Sequence, residues 1–107
     1  MKIAVSAMGG SLESAVSEKF GRAPYFVIVD TDTMKFTPVL NNAESMQGGA
    51  GPEAVRQVSA HGVSVVLTGQ LGPNAKSALE AAKITAVIGI SGTKTVKQAV
   101  EEYASKK

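Results

Sequence analysis

The second half of the chain alternates between two rhythms, and that alternation limits the fold more than any other feature. Val63 to Gly69 reads VSVVLTG, a continuous apolar run of strand length. From Pro73 to Lys83, residues Ala75, Ala78, Leu79 and Ala82 recur at i, i+3, i+4 and i+7, one face of a helix. Thr85 to Ser91 (TAVIGIS) reads as another buried strand, and Val96, Ala99, Val100 and Tyr103 repeat the helical spacing to the end. Strand and helix in such close succession require parallel strands joined by right-handed crossovers. The two units resemble each other because each is half of a βαβ unit, not because their residues match.

The first half reads differently. Lys2 to Met8 (KIAVSAM) predicts a buried strand that stops at Gly9-Gly10. Pro24 to Asp30 (PYFVIVD) is β-branched and aromatic, and Asp30 to Thr33 is turn-like. MKFTPVLNN follows as a hairpin partner, and Pro38, which cannot donate to a ladder, places that strand at a sheet edge. Pro52 to His61 predicts a helix with Val55 and Val58 inward and Gly62 as its stop. The element order is therefore β-β-β-α-β-α-β-α, an α/β protein with a mixed sheet. Val5, Val27, Val65, Val66, Val87 and Ile88 are expected in the core.

A chain of 107 residues fits one domain, spanning 1–107, that buries about two-thirds of its unfolded surface. Apolar residues make up 44%, without a run long enough for a membrane span or a signal-peptide pattern. These features predict a cytoplasmic protein with no membrane association. The net charge of +2 is scattered, and Lys106-Lys107 reads as a solvated tail, so no nucleic-acid partner is expected. Cysteine is absent, which excludes disulfides, thiolate metal sites and cysteine nucleophiles.

Three predicted helices start in small-residue loops: Gly48-Gly49-Ala50-Gly51-Pro52, Gly69-Gln70-Leu71-Gly72-Pro73 and Ser91-Gly92-Thr93-Lys94-Thr95. In the first two, glycine suits the N-cap and proline the first helical position; in the third, Thr93 or Thr95 would cap. The last two loops leave the carboxyl ends of parallel strands, the edge where open α/β sheets place ligands. The Gly9-Gly10 loop belongs at the same edge if its strand runs parallel. Orphan N–H groups and positive helix ends facing one crevice would suit an anion. Ordinary capping accounts for each loop taken singly, and neither a P-loop nor a dinucleotide fingerprint is present. His61, the only histidine, most simply complements a helix dipole, no serine sits in a nucleophile elbow, and the acids are scattered. No catalytic residue and no protein metal ligand is assigned. Met8 and Met34 read as packing residues, whereas Met46, in the glycine loop, is kept as a site candidate.

KFGRAPYFVIVD (Lys19 to Asp30), GGAGPEA (Gly48 to Ala54) and GVSVVLTGQLGPNAKSAL (Gly62 to Leu79) resemble, in order, the dinitrogenase iron–molybdenum cofactor biosynthesis family. That family includes NifX-like cofactor carriers, a domain appended to NifB-type proteins and the orange protein of sulfate reducers. The resemblance implies a ribonuclease-H-like three-layer fold: a five-stranded sheet in order 3-2-1-4-5, strand 2 antiparallel, with three helices. Many members carry a histidine before the Phe-Gly-Arg segment and a cysteine after it, where this chain has Lys19 and Ala23. The resemblance then implies a non-enzymatic carrier that holds an anionic, molybdenum-type metal–sulfur cluster or thiometallate non-covalently. A protein partner would take part in cluster delivery. Gly9, Gly10, Gly48, Gly49, Gly51, Gly69, Gly72 and Gly92 would present backbone donors, beside Met46. Arg22, with Lys19 and Lys94, would supply charge. Two other readings compete: a small-anion enzyme, which needs His61 to reach the glycine loops, and a ligand-free interaction module. The fold does not by itself imply a nuclease, because Ile3 to Met8 carries no carboxylate.

Overall fold

The structure, a computed structural model, describes residues 1–43 and 46–105. Its elements are β1 (Lys2–Ala7), β2 (Tyr25–Asp30), β3 (Phe36–Leu40), α1 (Ala50–Ser59), β4 (Val65–Leu67), α2 (Pro73–Ala81), β5 (Thr85–Val87) and α3 (Val96–Ser105). The strands form one sheet in the order β3-β2-β1-β4-β5. β2 runs antiparallel to both β1 and β3, while β4 is parallel to β1 and β5 to β4. This is the α/β architecture and strand order expected, compatible with a ribonuclease-H-like arrangement.

Strand alternation sorts the core into two layers. Ile3, Val5, Val27, Val29, Val65 and Leu67 face Val96, Ala99 and Val100 of α3. Ala4, Phe26, Ile28 and Val66 face Ala54, Val55 and Val58 of α1 with Ala75 and Leu79 of α2. Covering on both faces is why β1, β2 and β4 read as unbroken apolar runs. Phe20 joins the second layer, its ring 5.0 Å from that of Phe26, a pairing worth about 0.5–1.5 kcal/mol beyond area burial.

Several expectations need correcting. Ile88 is not in the core: it is 61% exposed, and Val87 is only half-buried. β5 is the edge strand, and Gly89 (φ 86) ends it before TAVIGIS can continue. β3 starts at Phe36 rather than Met34 because Met34 (φ 58) completes the turn, donating to the Asp30 carbonyl at 2.7 Å. Pro38 does sit on an edge strand, opposite Val27. The flanking bonds Asp30 N–H to Lys35 O and Asn41 N–H to Pro24 O set the pairing parity. By that parity the missing N–H of Pro38 is one that would have pointed outward, so the proline costs no ladder bond and blocks edge-to-edge pairing.

α1 begins at Ala50, two residues before its expected start, so Pro52 is the third helical residue and Gly49 the cap. The first-turn N–H groups have no intrahelical partner, so proline is tolerated there as well as at the first position. α2 begins as expected, with Gly72 as cap and Pro73 first. α3 is capped by Thr95: its hydroxyl accepts from Gln98 N–H (3.1 Å), and Gln98 Oε1 accepts from Thr95 N–H (2.9 Å).

The long connection from β1 to β2 was not anticipated as a structural element. It folds over the carboxyl edge of the sheet through isolated bridges Ala7–Val16, Ala15–Thr95 and Lys19–Gln70. Ser17 N–H donates to Ser6 O (2.8 Å) and Val16 N–H to Lys94 O (2.9 Å). Among the described residues no helix is long and apolar enough to cross a membrane.

Candidate functional site

Two helix N-termini meet at the carboxyl edge. The caps Gly49 and Gly72 provide no side-chain hydrogen bond. The first intrahelical bonds run from Glu53 N–H to Gly49 O (3.1 Å) and from Lys76 N–H to Gly72 O (3.0 Å). The N–H groups of Ala50 and Gly51 in α1, and of Asn74 and Ala75 in α2, therefore lack a partner among the described residues. The helices touch at these first turns: a Cβ on Gly51 would lie 2.9 Å from the Cβ of Ala75. A cavity of about 240 Å³ opens between them, lined by Gly49, Ala50, Gly51, Gly72, Asn74 and Ala75 together with Gly21 and Arg22. A second cavity of about 270 Å³ adjoins it, sharing Gly21, Arg22 and Gly72 and adding Lys19, Gln70 and Leu71. Two positive dipole ends and a guanidinium border one concave surface.

Arg22 is placed by a buried amide network. Asn41 Nδ2 donates to the carbonyls of Gly21 (3.1 Å) and Ala23 (2.8 Å), fixing the turn that carries Arg22. Asn41 Oδ1 accepts from Ala43 N–H (2.9 Å) and from Gln57 Nε2 of α1 (3.0 Å), and Gln57 Oε1 accepts from Asn42 N–H (3.0 Å). The Arg22 guanidinium donates to the Met46 carbonyl. The Met46 methyl lies 3.8 Å from where a Gly49 Cβ would stand. In the first turn of α1, Glu53 takes both Nε (2.8 Å) and Nη2 (2.5 Å) of Arg56. That fork holds the Glu53 carboxyl below its ordinary range and balances its charge near the cavity.

The predicted site residues divide into two groups. Arg22, Gly49, Gly51 and Gly72 come together at the cavity; Met46 is tied to it through Arg22, and Gly48 precedes the α1 cap with free space around it. Gly9, Gly10, Gly69 and Gly92 do not join them: Gly9 and Gly10 lie within the β1–β2 connection, and Glu18 of that connection crowds Gly69 and Gly92. A Cβ on Gly9 would meet Ser14 Oγ at 2.7 Å, and one on Gly10 would meet Pro38 Cβ at 3.0 Å. On Gly69 it would lie 2.6 Å from the Glu18 carbonyl oxygen. Gly92 N–H donates to Glu18 Oε2 at 2.7 Å, so an internal carboxylate already occupies the third loop. Lys94 is paired with Glu102 (2.6 Å), whereas Lys19 borders the adjoining cavity.

His61 lies at the opposite edge of the sheet, with Lys2 and Asp30, and so cannot serve as a base at the glycine loops. Ala23, where the resemblance expects a cysteine, is fully buried in the core. Among the described residues no three His, Cys, Asp or Glu side chains are grouped to hold a metal ion. The sequence reading missed Asn41, Gln57, Asn74 and Glu18. Only Asn74, next to Pro73, carried a local signal, since the first turn of a helix exposes its N–H groups.

The fold is an α/β sheet in which two helix N-termini without side-chain caps share one concave surface. The sequence profile described as "dinitrogenase iron-molybdenum cofactor" matches residues 1–106, and the chain belongs to that family. It is similar to the apo form of the orange protein from Desulfovibrio gigas, with 40% identity and a TM-score of 0.94 over 98% of this chain and 88% of that one. It is also similar to a putative NifB protein from Thermotoga of the DUF35 family, at 31% identity and a TM-score of 0.83, covering 97% and 87% of the two chains. No curated protein matches the sequence.

Proposed function

We propose that this protein is a non-enzymatic carrier that holds an anionic, molybdenum-type metal–sulfur cluster or thiometallate precursor between the N-termini of α1 and α2. The observation that carries this reading is the pair of uncapped first turns sharing one cavity with Arg22. Their N–H groups are donors without acceptors, and the terminal sulfides or oxides of a thiometallate are acceptors without donors. The chain has no cysteine, and its lone histidine is at the far edge, so the cargo would be held by hydrogen bonds and charge rather than by metal–ligand bonds. Membership of a cofactor-associated family supports the choice of cargo. A non-covalent hold lets such a cluster pass to an acceptor protein without breaking a metal–ligand bond to the carrier, which suits this donor set.

Titration with tetrathiomolybdate, with and without copper, followed by absorbance, tests the reading. Wild type is expected to take up the anion saturably and less tightly as salt rises. Arg22→Ala should weaken uptake by about 1–3 kcal/mol, the range for one charge-assisted contact. Wild type that takes up no thiometallate would refute the proposal.

A further inference from the structure

The opposite edge of the sheet carries another concavity, of about 180 Å³, lined by Lys2, Ile28, Asp30, Lys35, Thr37 and His61. Strand alternation explains its make-up. Ala4 and Ile28 face α1; Lys2 lies two residues before the first and Asp30 two after the second. Thr37 pairs with Ile28 across β2 and β3, and Lys35 lies two residues before Thr37. All four polar residues therefore stand on the face that α1 covers, but beyond the end of the helix at Ser59. His61 enters from the turn that follows α1.

The donors of this cavity are not used among the described residues. The side chains of Lys2, Lys35, Thr37 and His61 make no hydrogen bond or ion pair among the described residues. Asp30 is paired with neither lysine, and its Oδ1 accepts from Asp32 N–H at 2.9 Å. The end of α1 offers little competing negative charge: Ala60, His61 and Gly62 N–H groups already engage the carbonyls of Arg56, Val58 and Ser59. Two ammonium groups, a hydroxyl and an imidazole thus surround a pocket with one carboxylate at its side.

We propose that this cavity is a second anion site, independent of the first, that takes a phosphate group, either free or as a phosphate monoester. Lys2 and Lys35 supply charge, and Thr37 and His61 supply directional hydrogen bonds. Phosphate offers several acceptor oxygens to four donor side chains, where a carboxylate offers two. Asp30 opposes the anion and so sets its affinity.

Amide-resolved NMR of the whole chain, titrated with inorganic phosphate and separately with glycerol phosphate, tests this. Saturable shifts are expected at Lys2, Lys35, Thr37 and His61. Lys35→Ala should raise the apparent Kd about tenfold or more, the size of one charge-assisted contact. Asp30→Asn, which keeps Oδ1 for the Asp32 N–H, should tighten binding severalfold. Lys97→Ala, the same charge removed from α3, should change nothing. Tighter binding of the ester would identify the source as a phosphorylated molecule, and weaker binding would identify free phosphate. Shifts confined to the first turns of α1 and α2, or a Lys35→Ala protein that titrates like wild type, would overturn the proposal.

Discussion

Gly49 and Gly72 hold the same position in two helices but respond differently to a side chain. Gly49 has φ 72, a conformation that strains any other residue. A substitution there would confuse a blocked cavity with a damaged backbone. Gly72 has φ −74 and ψ 163, and a Cβ on it would meet nothing within 4 Å. Gly72→Asp is therefore the informative change. Its carboxylate would cap α2, engaging the Asn74 or Ala75 N–H and adding a few tenths of a kcal/mol. The same carboxylate would occupy the place proposed for the cargo. Equal or higher thermal stability with thiometallate uptake abolished is the expected result, read by circular dichroism and absorbance. A capped variant that still binds like wild type would move the site elsewhere. Arg22 shows a different dependence at this scale, because its turn is held by Asn41, a residue 4% exposed and remote in sequence.

The three helices differ at their starts, and the difference follows side-chain chemistry. α3 begins with a reciprocal Thr95–Gln98 box, and Glu18 takes the loop before it. α1 and α2 have neither device, so only their ends remain open to an external anion. Gly51 serves their packing: the missing Cβ lets α1 approach Ala75 of α2. Gly51→Ala should destabilise the fold by about 1–3 kcal/mol through overpacking. Ala75→Gly in the same chain should recover part of that loss despite glycine's own helix cost of about 1 kcal/mol. Urea unfolding of both single variants and the double variant measures the coupling. Strict additivity would show that the two positions do not press on each other.

At the scale of the molecule, the two proposed anion sites lie at opposite edges of the sheet, each beside an end of α1. The first joins α1, α2 and the Gly21–Arg22 turn, parts that are brought together only in the folded chain. A ligand held there binds the native state alone and should stabilise it by about 2.7 kcal/mol at a hundredfold excess over Kd. For a chain of this size that corresponds to a rise in Tm of roughly 10–20 °C. Thermal unfolding with and without tetrathiomolybdate checks this. An unchanged Tm at saturating anion would mean that the anion does not distinguish folded from unfolded protein.

The element order, the helix faces, the Gly72-Pro73 start of α2, the Thr95 cap and the edge position of Pro38 were all legible in the sequence. Each rests on a local period or a backbone restriction that acts within a few residues. The glycine loops also marked the sheet edge at which an anion site is proposed, and the resemblance supplied the sheet order that periodicity could not. Tertiary structure alone decided which loops share a cavity. In the β1–β2 connection, Glu18 presses on Gly69 and Gly92, whereas the caps Gly49 and Gly72 keep free space around them. Asn41 positions the Arg22 turn and is itself held by Gln57 of α1, and Ile88 is exposed because it follows an edge strand. These contacts join residues far apart along the chain, so no local pattern records them; they exist only once the layers have packed.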